Sequence, residues 1–131
     1  MKKSTKLMLK IVLVVLASLL IIGGITRHIT NNRIDKRVVY WESLIDSEMP
    51  AGSSIKLVKQ WGKKRNISAS IITGNKFQPP EAKQIFYSNV ESIPDAGIGF
   101  PCSSWNIIIE IYFGQDEKYV GRRVHAVGSC I

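Results

Sequence analysis

The feature that most constrains this chain is an apolar run near its start, from Leu7 to Thr26 (LMLKIVLVVLASLLIIGGIT). A helix needs about 20 predominantly apolar residues to cross the hydrocarbon core of a bilayer, and this run has that length. Its one charged residue, Lys10, lies near one end, where a lysine side chain can extend its amine to the head groups. The sequence therefore predicts a single-pass membrane protein, with residues 1–26 forming a basic tail and a transmembrane anchor.

The same segment also has the layout of a cleaved secretory signal, because Lys2, Lys3 and Lys6 precede the apolar stretch. Two features favour an uncleaved anchor. The apolar part is long for the core of a signal peptide, and no small-x-small cleavage site follows Gly23 and Gly24. We therefore predict an uncleaved anchor, with a cleaved signal as the alternative.

Basic residues lie on both sides of the run, so their distribution alone does not set the orientation. They are Lys2, Lys3, Lys6 and Lys10 on one side and Arg27, Arg33, Lys36 and Arg37 on the other. Large downstream domains cross the membrane largely regardless of their charge. We therefore expect the short N-terminus inside and the C-terminal domain in the periplasm or outside the cell.

The formal net charge of +8 raises the question of nucleic-acid binding. Much of the positive charge belongs to membrane topology, because five of the 18 basic residues flank the apolar run and all 10 acidic residues follow it. No interleaved aromatic and basic residues and no known nucleic-acid motif accompany the remainder. We therefore expect no nucleic-acid partner.

An amphipathic helix is predicted after a short polar linker at residues 27–33, a segment that could also continue as helix. Ile34, Val38, Trp41 and Ile45 recur at spacings of four, three and four, which makes one apolar stripe. Pro50 and Gly52 are expected to end this helix.

Ser53 or Ser54 can cap a second helix, in which Val58 and Trp61, with Ile55 and Leu57 beside them, face one way. The opposite side is basic, and from it we take Lys56, Lys59 and Lys63 as candidate partner contacts. Such a face suits anionic head groups or an acidic protein. A solvated helix with cations near its C-terminal end has the same pattern.

Strand signals begin beyond Asn66. Residues Ile67 to Ile71 alternate apolar and polar, and Ile85 to Val90 is a second candidate strand. The stretch from Ile93 to Cys102 (IPDAGIGFPC) is rich in glycine and proline and is predicted to be an exposed loop. Its candidate partner contacts are Asp95, Ile98 and Phe100.

A β-hairpin is the strongest local signal, with Trp105 to Phe113, a turn at Gly114 to Lys118, and Tyr119 to Val127. Burial of one apolar face sets the register. The predicted register places Trp105, Ile107, Ile109 and Ile111 opposite Ala126, Val124, Arg122 and Val120.

The two cysteines, Cys102 and Cys130, lie nearly opposite each other at the open end of this hairpin, one residue away from the predicted register. A β-bulge near Pro101 to Ser104 would absorb that residue. Near-opposite strand positions commonly meet the distance that a disulfide needs. We predict a Cys102–Cys130 disulfide and, from it, an oxidising compartment. Two free thiols in a cytosolic domain are the alternative.

Groups for catalysis are few. Only His28 and His125 offer an imidazole, and we expect His125 to be a surface or edge residue. Glu110 is expected to pair with Arg122 or Arg123 across the hairpin. The sequence has no cluster with metal-ligand spacing, no phosphate-binding loop and no nucleophile elbow. We expect no cofactor and no catalysis; a small enzyme would depend on His125 or Glu110.

Several of these features together resemble the SmpA/OmlA (BamE-like) family of small envelope proteins. A glycine and a serine opening the second helix, with a valine one turn later, fit Gly52, Ser53, Ser54 and Val58. The resemblance spans roughly Ile34 to Ile131 and implies an ααβββ module. This chain departs from the family because it has no cysteine to lipidate after its apolar run and has an extra cysteine pair. No functional residue carries over.

The combined prediction is an α+β protein: a transmembrane helix followed, over residues 34–131, by two helices packed on an antiparallel sheet of three to four strands. Its expected function is to bind another envelope or secreted protein while anchored in the cytoplasmic membrane. A membrane-anchored immunity protein that neutralises a toxin is the alternative of the same kind. The sequence predicts no particular oligomeric state.

Overall fold

The computed structural model of the protein describes residues 2–74 and 78–131, with side chains from Ser4 onwards. It has two helices followed by a four-stranded sheet, which confirms the α+β fold. The elements are α1 (Lys2–Glu48), α2 (Ile55–Lys64), β1 (Ser70–Thr73), β2 (Gln84–Pro94), β3 (Cys102–Phe113) and β4 (Tyr119–Cys130). The strands follow one another in the order β1-β2-β3-β4, and all neighbours are antiparallel.

Helix α1 runs without a break through the polar segment 27–33, which is therefore helix and not an irregular linker. That segment contains neither proline nor glycine, so nothing in it interrupts the backbone hydrogen bonds. At 1.5 Å per residue, α1 is about 70 Å long. The helix ends before Pro50 and Gly52, as predicted, and Gly52 has a φ of 81°.

The two halves of α1 have different surroundings. Apolar side chains from Leu7 to Ile25 are exposed. That half is long and apolar enough to cross a membrane, a composition that fits both a membrane span and a signal sequence. The second half packs its predicted stripe on the sheet: Ile34 and Ile45 are buried, and Val38 and Trp41 pack against the same core. Across from them, β3 contributes Ile107, Ile109, Ile111 and Phe113.

Helix α2 begins with Ser54, whose side-chain oxygen accepts a hydrogen bond from the backbone N–H of Leu57. Ile55, Val58 and Trp61 are buried, as the pattern predicts. The prediction for Leu57 is wrong, since this side chain is 44% exposed. It lies two residues after Ile55, and a two-residue step places it well around the helix from the buried face.

Strand β1 is shorter than predicted and begins at Ser70. Asn66 adopts a φ of 56° where α2 ends, and the N–H of Ile67 donates to the carbonyl of Gly62. Asn66 and Ile67 therefore cap the C-terminal end of α2, and β1 begins only after them. The hydroxyl of Ser88 donates to the carbonyl of Ser68 at 2.6 Å, in place of a ladder hydrogen bond.

Strand β2 is longer than predicted and reaches Pro94, so the exposed connection spans only residues 95–101. Ile93, assigned to that loop from the sequence, is a buried strand residue opposite Trp105. An irregularity between Asn89 and Glu91 shifts the register. This local bulge hides the alternation that would identify a long strand.

The hairpin register differs from the prediction by two residues. Ile107 lies opposite Ala126, Ile109 opposite Val124, and Ile111 opposite Arg122. A two-residue shift leaves the same side chains on the buried face, so burial alone could not choose between the two registers. The turn and an irregularity between Tyr112 and Phe113 decide it.

The Cys102–Cys130 disulfide is present, with the two residues paired across β3 and β4. The register shifts between Cys102 and Ser104, where the sequence required a bulge. A Cβ added at Gly128 would lie 2.8 Å and 3.1 Å from the two sulfur atoms. The disulfide thus occupies the space that a side chain at residue 128 would need.

Candidate functional site: two exposed surfaces at opposite ends of the sheet

The loop of residues 95–101 is tied to α1 through Thr30, which is 2% exposed. The Thr30 hydroxyl lies 3.1 Å from Asp95 Oδ1 and accepts the backbone N–H of Ala96 at 2.9 Å. The other carboxylate oxygen of Asp95 accepts the N–H of Gly97 at 2.9 Å. Asp95, predicted as a partner contact, therefore has a structural role in holding the loop on the helix.

Beyond this attachment the loop is apolar and open. Ile98 is 93% exposed and Phe100 is 71% exposed. Together with α1 they border a cavity of about 440 Å³. Its helical side consists of Gly23, Thr26, Arg27, Thr30 and Asn31, spaced as one helix face. We call this the loop pocket.

The helical side of the loop pocket was not predicted. A sequence signal for it exists, because these small and polar residues recur every three or four positions. It is visible only if residues 27–33 are taken as helix, which the sequence left open beside a short linker.

The basic residues of α2 form the second surface. Lys56, Lys59 and Lys63 are all exposed. Lys59 and Lys63 border a shallow groove of about 250 Å³, lined also by Ile67, Ala69, Ile71 and Phe86, and we call this the lysine groove. Lys56 is not among its lining residues. The structure thus brings two of the three predicted lysines together over an apolar floor.

The two surfaces lie towards opposite ends of the sheet. Phe86, in the lysine groove, is opposite Ile111 near the end that carries the turn at residues 114–118. Pro94, next to the loop pocket, is opposite Ser104 near the disulfide.

Two sets of ionic contacts join α1 to the sheet. In the first, Glu91 accepts hydrogen bonds from Arg37 at 2.8 Å and from the Trp41 indole at 3.1 Å. This set holds β2 against the half of α1 that packs on the sheet. Apolar contacts have no preferred direction, so the hydrogen bonds of Glu91 fix the position of β2 along α1.

In the second set, Arg122 on β4 donates to Asp46 at 2.7 Å and to Glu42 at 3.0 Å. The hydrogen bond with Arg122 holds the pKa of Asp46 below its ordinary value, and the pair raises the pKa of Arg122. Arg122 therefore binds α1. Of the two arginines predicted to face Glu110 across the hairpin, Arg123 is the one that lies opposite it.

The candidate catalytic groups lie on the sheet face away from the helices. Glu110 accepts a hydrogen bond from the Tyr112 hydroxyl at 2.5 Å. Burial and this carboxylate raise the pKa of Tyr112 to about 12. His125 is half-buried, and loss of hydration lowers its pKa. Among the described side chains, no partner contacts its buried Nδ1 atom.

Within residues 2–74 and 78–131, no group of three or more His, Cys, Asp or Glu side chains is placed to hold a metal ion. No protein-family model, curated protein or solved structure matches the chain. The resemblance to the SmpA/OmlA family stays a prediction.

Proposed function

We propose that the protein is a single-pass membrane protein that displays a non-catalytic, protein-binding domain on the outer side of the cytoplasmic membrane. The observation that carries this proposal is the continuity of α1. Its exposed apolar half and the stripe that packs on the sheet belong to one helix. Soluble proteins rarely expose so large an apolar surface, and a bilayer would cover it.

The disulfide supports an external position for the domain. Stable disulfides form in the periplasm and at cell surfaces, and are rare in the reducing cytosol. With Cys102 and Cys130 outside, the short basic N-terminus lies inside. This orientation agrees with the usual translocation of a large C-terminal domain.

The lysine groove supports the binding of another protein. It adjoins β1, a four-residue strand at the edge of the sheet. An edge strand can accept an extended segment of a partner through backbone hydrogen bonds. Lys59 and Lys63 add positive charge beside an apolar floor that includes Ile71, so an acidic, extended segment is the partner chemistry that fits.

Thiol labelling tests the topology. Intact cells that produce the full chain are treated with a membrane-impermeant maleimide, with and without reductant, and chain length is read on a gel. We expect labelling only after reduction, at full length. Labelling that requires lysis but no reductant would place the domain in the cytosol. A shortened labelled chain would identify a cleaved signal.

Site-specific photo-crosslinking tests the binding surface. A photoreactive amino acid at Ile71 is expected to capture one defined envelope or secreted protein, and the double charge reversal K59E/K63E should abolish that product. K118E, on the exposed turn, is the matched control and should leave it unchanged. If K59E/K63E behaves like K118E, the lysine groove is not the contact. Capture of a toxin would favour the immunity function over envelope assembly.

A further inference from the structure

The loop pocket lies at a definite position along α1. Gly23, within the apolar run, lines it together with Ile98 and Phe100. A Cβ added at Gly97 would lie 3.1 Å from the Thr26 hydroxyl, so the loop touches α1 at the end of that run. Lys10 and Arg27, the charged residues nearest the two ends, are about 25 Å apart along the helix. Arg27 and the loop are therefore level with one boundary of the hydrocarbon core.

From this position we infer that Ile98 and Phe100 insert into the outer leaflet of the membrane that α1 crosses, at the boundary between head groups and acyl chains. The inference rests on the proposed membrane anchor. It assigns these two residues to lipid, whereas the sequence offered them as contacts for a protein partner.

The chemistry of the loop fits this boundary. Backbone without regular hydrogen bonding is costly inside the hydrocarbon core, so the loop backbone must stay among the head groups. Aromatic and aliphatic side chains reach the acyl region from there at little cost. Arg27 lines the same pocket, and from the boundary its side chain can extend to the lipid phosphates. The apolar surface of Ile98 and Phe100 is thus continuous with the apolar surface of the anchor.

The attachment of the loop to α1 makes the insertion specific. The hydrogen bonds of Thr30 with Asp95 and Ala96 fix the loop at one height on the helix. With α1 and the loop both in the membrane, the domain has two points of contact and a defined tilt. The lysine groove, towards the other end of the sheet, then faces away from the lipid surface.

Depth-dependent quenching tests the insertion in the full-length protein, reconstituted in phosphatidylcholine and phosphatidylglycerol vesicles. Tryptophan is introduced as I98W or F100W, with V120W as the matched control. Val120 is 50% exposed and lies on β4 beside the turn at the opposite end. Emission of the native tryptophans is subtracted using the wild-type protein. Flotation with the vesicles after alkaline carbonate treatment reports separately on the anchor.

We expect the added tryptophan of I98W and F100W to lose most of its emission in vesicles of brominated phosphatidylcholine and to resist aqueous iodide. V120W should show the reverse. If all three variants behave alike and iodide quenches them, the loop is in water and the inference is wrong. Resistance to both quenchers would mean that a protein, such as a second copy of the chain, covers the loop, which also overturns it. Failure of the wild-type protein to float would overturn the membrane anchor itself.

Discussion

The hydroxyl of Thr30 lies 3.1 Å from the Asp95 carboxylate, although the two residues are 65 positions apart in the chain. This contact joins α1, just beyond its apolar half, to the end of β2. The same hydroxyl accepts the Ala96 N–H. The buried Thr30 side chain thus fixes the position of the end of β2 along α1.

Removal of this hydroxyl should therefore loosen the attachment. In Thr30→Val, of nearly the same shape, Asp95 and Ala96 each lose a buried partner, and we expect the free energy of unfolding to fall by about 1–3 kcal/mol. Denaturant titration of the full chain in detergent measures it. Ser47→Ala is the control, because the exposed Ser47 hydroxyl donates to the Leu44 carbonyl of its own helix and lies far from the loop. Equal effects of the two variants would contradict the role of Thr30.

Gly62 of α2 packs directly against the sheet. A Cβ added there would lie 2.9 Å from Cζ of Phe86, a side chain that is itself buried. Alanine favours helix by up to about 1 kcal/mol over glycine. We nevertheless expect Gly62→Ala to lower the free energy of unfolding, since overpacking costs about 1–3 kcal/mol. If the contact with Phe86 is the cause, Gly62→Ala should lower the free energy of unfolding by less in a Phe86→Leu background. An equal decrease in that background would contradict this explanation.

The contact of Arg122 with Asp46 predicts a dependence of stability on pH. The pKa of Asp46 is lowered in the folded state. Its contribution to the free energy of unfolding is therefore complete above its ordinary pKa of 3.8 and is lost as the pH falls through the folded-state pKa. The stability difference between wild type and Arg122→Gln should therefore shrink in acid. Unfolding titrations at neutral and acidic pH measure it. Arg33→Gln, exposed on α1, is the control and should show no comparable change.

The raised pKa of Tyr112 predicts that stability also depends on pH in the alkaline range. Its pKa is raised from 10.0 to about 12, so the folded state is fully favoured below pH 10 and loses this contribution as the pH rises through 12. Ultraviolet titration should show a late tyrosinate step that Tyr112→Phe removes. Glu110→Gln should move this step to lower pH, because the carboxylate helps to raise the pKa. A step unmoved by Glu110→Gln would exclude that contribution.

Several parts of the fold were predictable because their signals are local. The stripe from Ile34 to Ile45, the helix cap at Ser54 and the hairpin with its turn all follow from periodicity and turn composition. The disulfide followed from the positions of two cysteines relative to that hairpin. Of the candidate contacts, Lys56, Lys59, Lys63, Ile98 and Phe100 are exposed, as predicted.

Other parts depended on contacts between distant residues. The extension of β2 to Pro94 brings Asp95 to Thr30 of α1, a contact that no local pattern indicates. The hairpin register could not follow from burial, since a shift of two residues buries the same face. Arg122 was equally able to pair along the sheet or with a helix, and only the position of α1 directs it to Asp46.

The sequence by itself determined that an apolar helix precedes a small, disulfide-closed α+β domain, because hydrophobic periodicity and cysteine spacing act along the chain. The tertiary structure decided how the second half of that helix packs on the domain. It also placed the loop with Ile98 and Phe100 beside the end of the apolar run. The physical reason is that hydrogen bonds such as Thr30 with Asp95 join residues whose separation carries no pattern in the sequence.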